Sequence, residues 1–271
     1  MVSLALLFAC ARSPEVRAPE ERPPRPAAAP AAGMSALVDK AKARAPEAVR
    51  FAAAKGVAPV PIESGRSFAL SWSPRPGAPV LVSLHGHEGL AHEELKVWAP
   101  HAEARGFALF APQWWVGAGD DTGDYLNPRE LYRSIDQALT ASGATRGRVA
   151  LHGFSRGSAV TYAVAAMDGA NAKWFGFVVA NAGGAAMDFP PTAEVDRGVH
   201  GVRPYAGQRW VLFCGGKDPD PEINGCPAMR RTKAWVTGKG AKVEALIEDP
   251  EGDHGAFMRR ERNVEKALGM W

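Results

Sequence analysis

The sequence has no apolar run that approaches the roughly 18–20 residues a membrane-spanning helix needs, which excludes a transmembrane helix. Cysteine is scarce. There are three in 271 residues, Cys10, Cys214 and Cys226, and no spacing among them matches a zinc site. Charge of either sign is not in excess: 32 basic residues face 29 acidic ones, for a net charge of +3, with no concentrated basic stripe. That balance speaks against nucleic acid as a partner. The short pairs Arg230–Arg231 and Arg259–Arg260 read as solvated helix faces. What remains, 46% hydrophobic and 23% charged, is ordinary globular composition.

The first residues read MVSLALLFACARSPE. The apolar run ending at Cys10 resembles the end of a bacterial lipoprotein signal, in which Leu7, Phe8, Ala9 and Cys10 fill the positions before and at the lipidated cysteine. Phe8 is bulkier than the usual residue there, and no positive segment precedes the run. An ordinary secretory signal and an apolar tail are the alternatives. Each export reading places the protein in the cell envelope, periplasmic or lipid-anchored, with Cys10 as a membrane anchor in the second case. Pro19, Pro23, Pro24, Pro26 and Pro30 follow among alanines and charges, a composition that reads as an extended spacer. The expected organisation is a signal segment over 1–10, a linker and leading helix over 11–50, and a catalytic domain over 51–271. About 220 residues suffice for one well-cored domain.

From about residue 57 onward, strand-like and helix-like segments alternate. Apolar runs rich in β-branched and aromatic residues appear at 79–84, 107–111, 148–152, 174–180, 210–214 and 243–247. Helical stretches fall between them at 93–104, 128–141, 156–167 and 228–239, with a last one at 256–268. Runs apolar on both faces suit parallel strands covered by helices. The alternation predicts an α/β fold: a mainly parallel central sheet flanked by helices on both faces. An antiparallel strand over 67–73 and another over 57–62 are expected to precede it. Residues 188–208, rich in Pro, Gly and charge, read either as a small substrate-side cap or as a solvated excursion.

The most informative segment is Val149-Ala150-Leu151-His152-Gly153-Phe154-Ser155-Arg156-Gly157: a strand, then Gly-x-Ser-x-Gly, then a helix. A serine on so tight a turn projects its hydroxyl above the sheet. Glycines two residues to either side remove Cβ atoms that would strike the neighbouring strand and helix. The helix N-terminus that follows favours a developing negative charge. In this strand–turn–helix setting the motif resembles the α/β-hydrolase superfamily of esterases, lipases and depolymerases, over roughly residues 65–268.

That resemblance implies Ser155 as nucleophile, with an acid and then a histidine following in chain order. Phe213-Cys214-Gly215-Gly216-Lys217-Asp218 resembles the acid turn, with Asp218 favoured over Asp220 and Asp188. Gly252-Asp253-His254-Gly255 resembles the base loop, with His254 as base and Asp253 as a turn residue. Leu84-His85-Gly86-His87 resembles the strand end that supplies one oxyanion-hole amide, here His87, and Arg156 after the serine would supply the other. His85 would pack beneath the loop. Trp114 and Trp115, after the strand at 107–111, read either as a substrate subsite or as packing of a long loop. If the protein is exported, Cys214 and Cys226 would form a disulfide across the acid-bearing loop; otherwise they are unpaired. Asp120, Asp121 and Asp124 do not match the register of an EF-hand loop, and no metal or cofactor is read.

The resemblance therefore implies a serine hydrolase of small or polymeric carboxylic esters, acting through an acyl-enzyme. A peptidase or acyltransferase on the same residues is the enzymatic alternative. A surface binding protein that kept the fold without the chemistry is the non-enzymatic one.

Overall fold

The computed structural model describes residues 33–271, so the apolar run ending at Cys10 and the Pro-rich stretch up to residue 32 lie outside the described residues. The described chain opens with two short helices, α1 (Met34–Arg44) and α2 (Pro46–Ala54). Leu37, Ala41, Ala48 and Ala52 on these helices are buried against the domain. The folded unit thus includes α1 and α2, and the boundary expected at residue 50 falls inside α2. Burial of small apolar faces, not a change in composition, sets that limit.

The following strands are β1 (Val60–Ile62), β2 (Ser67–Trp72) and β3 (Val80–Leu84). Helix α3 (Ala91–Arg105), β4 (Ala108–Pro112) and α4 (Pro128–Ala141) come next. Then β5 (Val149–Phe154), α5 (Arg156–Ala170), β6 (Phe175–Asn181), α6 (Pro190–Asp196) and β7 (Arg209–Gly215) alternate. The chain closes with α7 (Cys226–Gly238), β8 (Lys242–Asp249), α8 (Ala256–Arg259) and α9 (Glu261–Leu268).

The strands form one sheet in the order β1-β2-β4-β3-β5-β6-β7-β8. β1 and β2 join antiparallel, and every pairing from β4 through β8 is parallel. The central strands are buried on both faces: Leu81, Leu84, Leu151, Val178 and Leu212 are all at most 1% exposed. This is what helices on both faces require. Chain order reverses across the sheet between β3, which is followed by β4 on one side, and β5 on the other. Crevices outside the carboxyl ends of strands at such a reversal are where ligands gather. Here those ends carry the loop at His85 and the turn at Ser155.

Local chemistry explains the elements. Asn127 caps α4 by accepting the Arg129 and Glu130 N–H groups, and Pro128 occupies the first turn, where no N–H is needed. Leu131, Ile135 and Leu139 of α4 recur on one buried face. The helix expected over 256–268 is broken at Arg260, which has extended backbone. At that position the Arg260 guanidinium reaches Asp249 at 2.7 Å, and Asn263 reaches the other Asp249 oxygen at 2.9 Å. Residues 188–208 form α6 and turns that pack on α5 and α7, with the Trp235 indole donating to Asp196 at 2.9 Å.

Candidate active site

Ser155 joins β5 to α5 with φ 54° and ψ −117°, a left-handed conformation that costs a serine energy and lifts its hydroxyl out of the sheet. The flanking glycines are required by close approach. A Cβ at Gly157 would stand 2.3 Å from the Leu84 carbonyl oxygen, and one at Gly153 would stand 2.4 Å from the Gly157 carbonyl oxygen. The serine N–H is tied to the Asn181 carbonyl at 2.8 Å, which anchors the turn to β6.

Two loops from the far side of the sheet converge on this hydroxyl. The turn after β7 carries Asp218, and the loop after β8 carries His254. They are joined by backbone bonds from Gly216 to the Asp249 carbonyl and from Lys217 to the Gly252 carbonyl, each 2.8 Å. His254 Nε2 lies 2.8 Å from Ser155 Oγ, and His254 Nδ1 lies 2.7 Å from Asp218 Oδ2. The Asp218 side chain is wholly shielded from solvent. Its other oxygen accepts the Asp220 N–H at 3.0 Å, so Asp220 serves the turn with its backbone. Asp253 accepts the Gly255 N–H at 3.1 Å and the Arg259 guanidinium. Cys214 and Cys226 are disulfide-bonded and bracket the Asp218 turn.

The amides of His87 and Arg156 have no acceptor among the described residues. Arg156 is the first residue of α5, where N–H groups lack intrahelical partners. Gly86 packs so closely that a Cβ there would be 3.3 Å from the Ser155 Cβ. A brace that the sequence reading missed holds both positions. Asp120 receives His87 Nδ1 at 2.9 Å and the Arg156 guanidinium at 2.6 Å, and that guanidinium lies 4.4 Å from the Tyr125 ring centroid. The Tyr125 hydroxyl in turn accepts the Glu88 N–H at 3.0 Å.

Trp114 and Trp115 do not line the cavity beside Ser155. Trp114 stacks on His85 and donates its indole N–H to the His85 carbonyl at 3.1 Å. Trp115 donates to the Gly119 carbonyl at 2.9 Å, with Lys40 of α1 over its ring. Both rings are buried, because each indole N–H finds a backbone carbonyl, that of Trp114 in the loop after β3 and that of Trp115 in its own loop. They fasten the loop that carries Asp120. His85 is itself buried, and burial pushes its imidazole down to about 4, which keeps it neutral.

The cavity beside Ser155 has a volume of about 460 Å³ and is lined by Val97, Phe154 and Met258 together with Glu93, Glu94 and His254. Behind it runs a buried chain of polar groups. The Ser83 hydroxyl donates to Glu94, so it must accept from His152 Nδ1, 2.9 Å away. His152 Nε2 then accepts from the Asn181 amide at 3.2 Å. Burial pushes His152 down to about 3 and Glu94 up to about 7, the latter despite the Ser83 hydrogen bond. No cluster of His, Cys, Asp and Glu among the described residues is arranged to hold a metal ion.

No protein-family model matches the chain, and no curated protein matches it. Solved structures do. A carboxylesterase from Mesorhizobium loti superposes with a TM-score of 0.55 at 15% identity, over 74% of this chain and 94% of its own. The Pyrococcus furiosus esterase Pf2001 gives 0.55 at 14% identity, over 79% and 92%. The acylaminoacyl peptidase of Pyrococcus horikoshii gives 0.52 at 17% identity, over 75% of this chain and 38% of its own.

Proposed function

The chain has the α/β-hydrolase fold, and on that fold we propose that it is a serine hydrolase of carboxylic esters, with Ser155 as nucleophile, His254 as base and Asp218 as acid. One observation carries this reading: the unbroken line of hydrogen bonds from Ser155 Oγ through His254 to the shielded Asp218. His254 Nε2 takes the hydroxyl proton as Ser155 Oγ attacks the acyl carbon. The oxygen of the tetrahedral intermediate receives the His87 and Arg156 N–H groups, each worth about 3 kcal/mol in the transition state. The same proton then goes to the departing alcohol. A water that gives its proton to His254 hydrolyses the acyl-enzyme and frees Ser155. Asp218 holds the imidazole with Nδ1 protonated and balances its positive charge without taking the proton. Val97, Phe154 and Met258 suit an acyl chain of short to medium length.

The test is hydrolysis of p-nitrophenyl esters, acetate through palmitate, by wild type and Ser155→Ala, with fluorophosphonate labelling alongside. Activity and labelling that vanish together in the variant are expected. A folded wild type that neither labels nor hydrolyses would favour a binding protein, and turnover of p-nitroanilides above esters would favour a peptidase. The Cys214–Cys226 disulfide supports an exported protein, since such bonds persist in oxidising compartments. On that reading Cys10 is its lipid anchor, and palmitate labelling of the precursor that is lost in Cys10→Ala is the corresponding test.

A further inference from the structure

The charge lining the cavity beside Ser155 is unbalanced, and the one arginine or lysine that lines it among the described residues is already engaged. Arg259 lines the cavity, but its guanidinium is paired with Asp253. Arg156, nearby on α5, is paired with Asp120. Facing them, α3 places two successive carboxyl groups in the cavity wall, Glu93 and Glu94, and neither has a cationic partner among the described residues. Glu93 accepts only the Leu90 N–H, at 3.1 Å. Glu94 accepts the Ser83 hydroxyl, with neutral His152 4.0 Å away and the Trp98 indole beside it.

We infer that Glu94, seconded by Glu93, makes this cavity selective by charge: it takes esters that carry a positive charge, and rejects esters that carry a carboxylate. The inference rests on the hydrolase reading above. The Glu94 side chain is only 13% exposed, so solvent screens it little, and a substrate charge entering the cavity meets its field in a low-dielectric wall. The reacting serine is on the same cavity, so that field acts on bound substrate and transition state alike.

The field also depends on pH. The groups that face Glu94 are Glu93 on its own helix, His152 from β5, and His85, His87, His254 and Arg259 across the cavity. His152 and His85 are held neutral by burial. Glu94 is the group brought close to neutrality, with its ionised form prevailing above pH 7. Rejection of a carboxylate therefore strengthens as pH rises from 6 to 8.

Two matched ester sets test this, one charged in the acyl half and one in the alcohol half. The first is the p-nitrophenyl esters of 4-(trimethylammonio)butyrate, 5,5-dimethylhexanoate and hemiglutarate. The second is the acetates of choline, 3,3-dimethylbutanol and 3-hydroxypropionate. The readout is the cation-to-anion ratio of kcat/KM within one protein. In at least one set, wild type at pH 8 should favour the cation by about tenfold or more. That ratio should fall on going to pH 6. Glu94→Gln should lower it severalfold at pH 8 and flatten its pH dependence. A wild-type ratio near one in both sets overturns the inference, a test that needs no variant. A folded, fluorophosphonate-reactive Glu94→Gln with the wild-type ratio overturns it too. A wild type that labels and hydrolyses the neutral esters keeps the hydrolase reading intact whatever the ratio. One that does neither overturns both.

Discussion

Cys214, near the end of β7, is bonded to Cys226, the first residue of α7, and the loop they close contains Asp218. The bond spans 12 residues. A loop of that length constrains the unfolded chain by about 3 kcal/mol in the loop-entropy account. It also ties the turn bearing the Asp218 carboxylate to two rigid elements. The double replacement Cys214→Ala/Cys226→Ala should lower unfolding free energy by about 2–3 kcal/mol, read from urea titrations. Reductant should do the same to wild type and leave the double variant unmoved.

Asp218 and Asp220 share a turn but hold opposite duties. One carboxylate bonds His254, and the other residue contributes its backbone N–H. Asp218→Asn should lower kcat by on the order of 10³–10⁴, because an amide no longer holds the imidazole in the required tautomer. Asp220→Asn, which keeps the N–H, should change kcat by less than about threefold. Steady-state kinetics on a single p-nitrophenyl ester separates the two. Equal losses would mean that the acid has been misassigned.

Gly157 is where the turn at Ser155 leaves no space. A Cβ there would stand within 2.6 Å of the carbonyl oxygens of both Leu84 and His85. These are backbone atoms of β3 and the loop after it, which cannot move aside as a flexible side chain would. Gly157→Ala should therefore cost about 3 kcal/mol or more and abolish fluorophosphonate labelling. Thermal denaturation and probe labelling measure the two effects.

Glu94 predicts a stability change with pH. Burial raises its folded pKa to about 7, against 4.5 for an ordinary glutamate. Between those values the folded state binds the proton more tightly than the unfolded chain does. The stabilisation is thus fully present below about pH 4.5 and is lost as pH rises through about 7. The loss is on the order of 3 kcal/mol. Glu94→Gln cannot ionise and should escape it. The variant should gain on wild type between pH 4.5 and pH 8, by denaturant titration at each pH. A constant difference would mean that Glu94 is not desolvated.

Much of this could be read along the chain. The parallel strands declare themselves as short apolar runs whose extents agree with β3 to β8 to within a residue or two, and the antiparallel strand expected over 67–73 agrees with β2 as closely. α4 is delimited by Asn127 and Pro128 at its start, since caps and missing N–H groups are local properties. The break at Arg260 was not legible, because nothing in the helical spacing of 256–268 signals that Asp249, eleven residues earlier, draws that guanidinium to itself. The two tryptophans were equally opaque. An indole after a strand is compatible with a cavity wall or with a core, and the choice fell to whichever carbonyls lay within reach, those of His85 and Gly119.

The sequence by itself determined the alternation of elements and the tight turn at Ser155, because these depend on periodicity, backbone sterics and caps within a few residues. It also determined the chain order of serine, acid and histidine. Only the tertiary structure decided that Asp218 and His254 meet across the Gly215–Gly216 turn, that Asp120 grips His87 and Arg156 together, and that Glu94 faces the cavity. Those relations join residues tens of positions apart. They depend on strand order and loop packing, which set the distances that local patterns leave open.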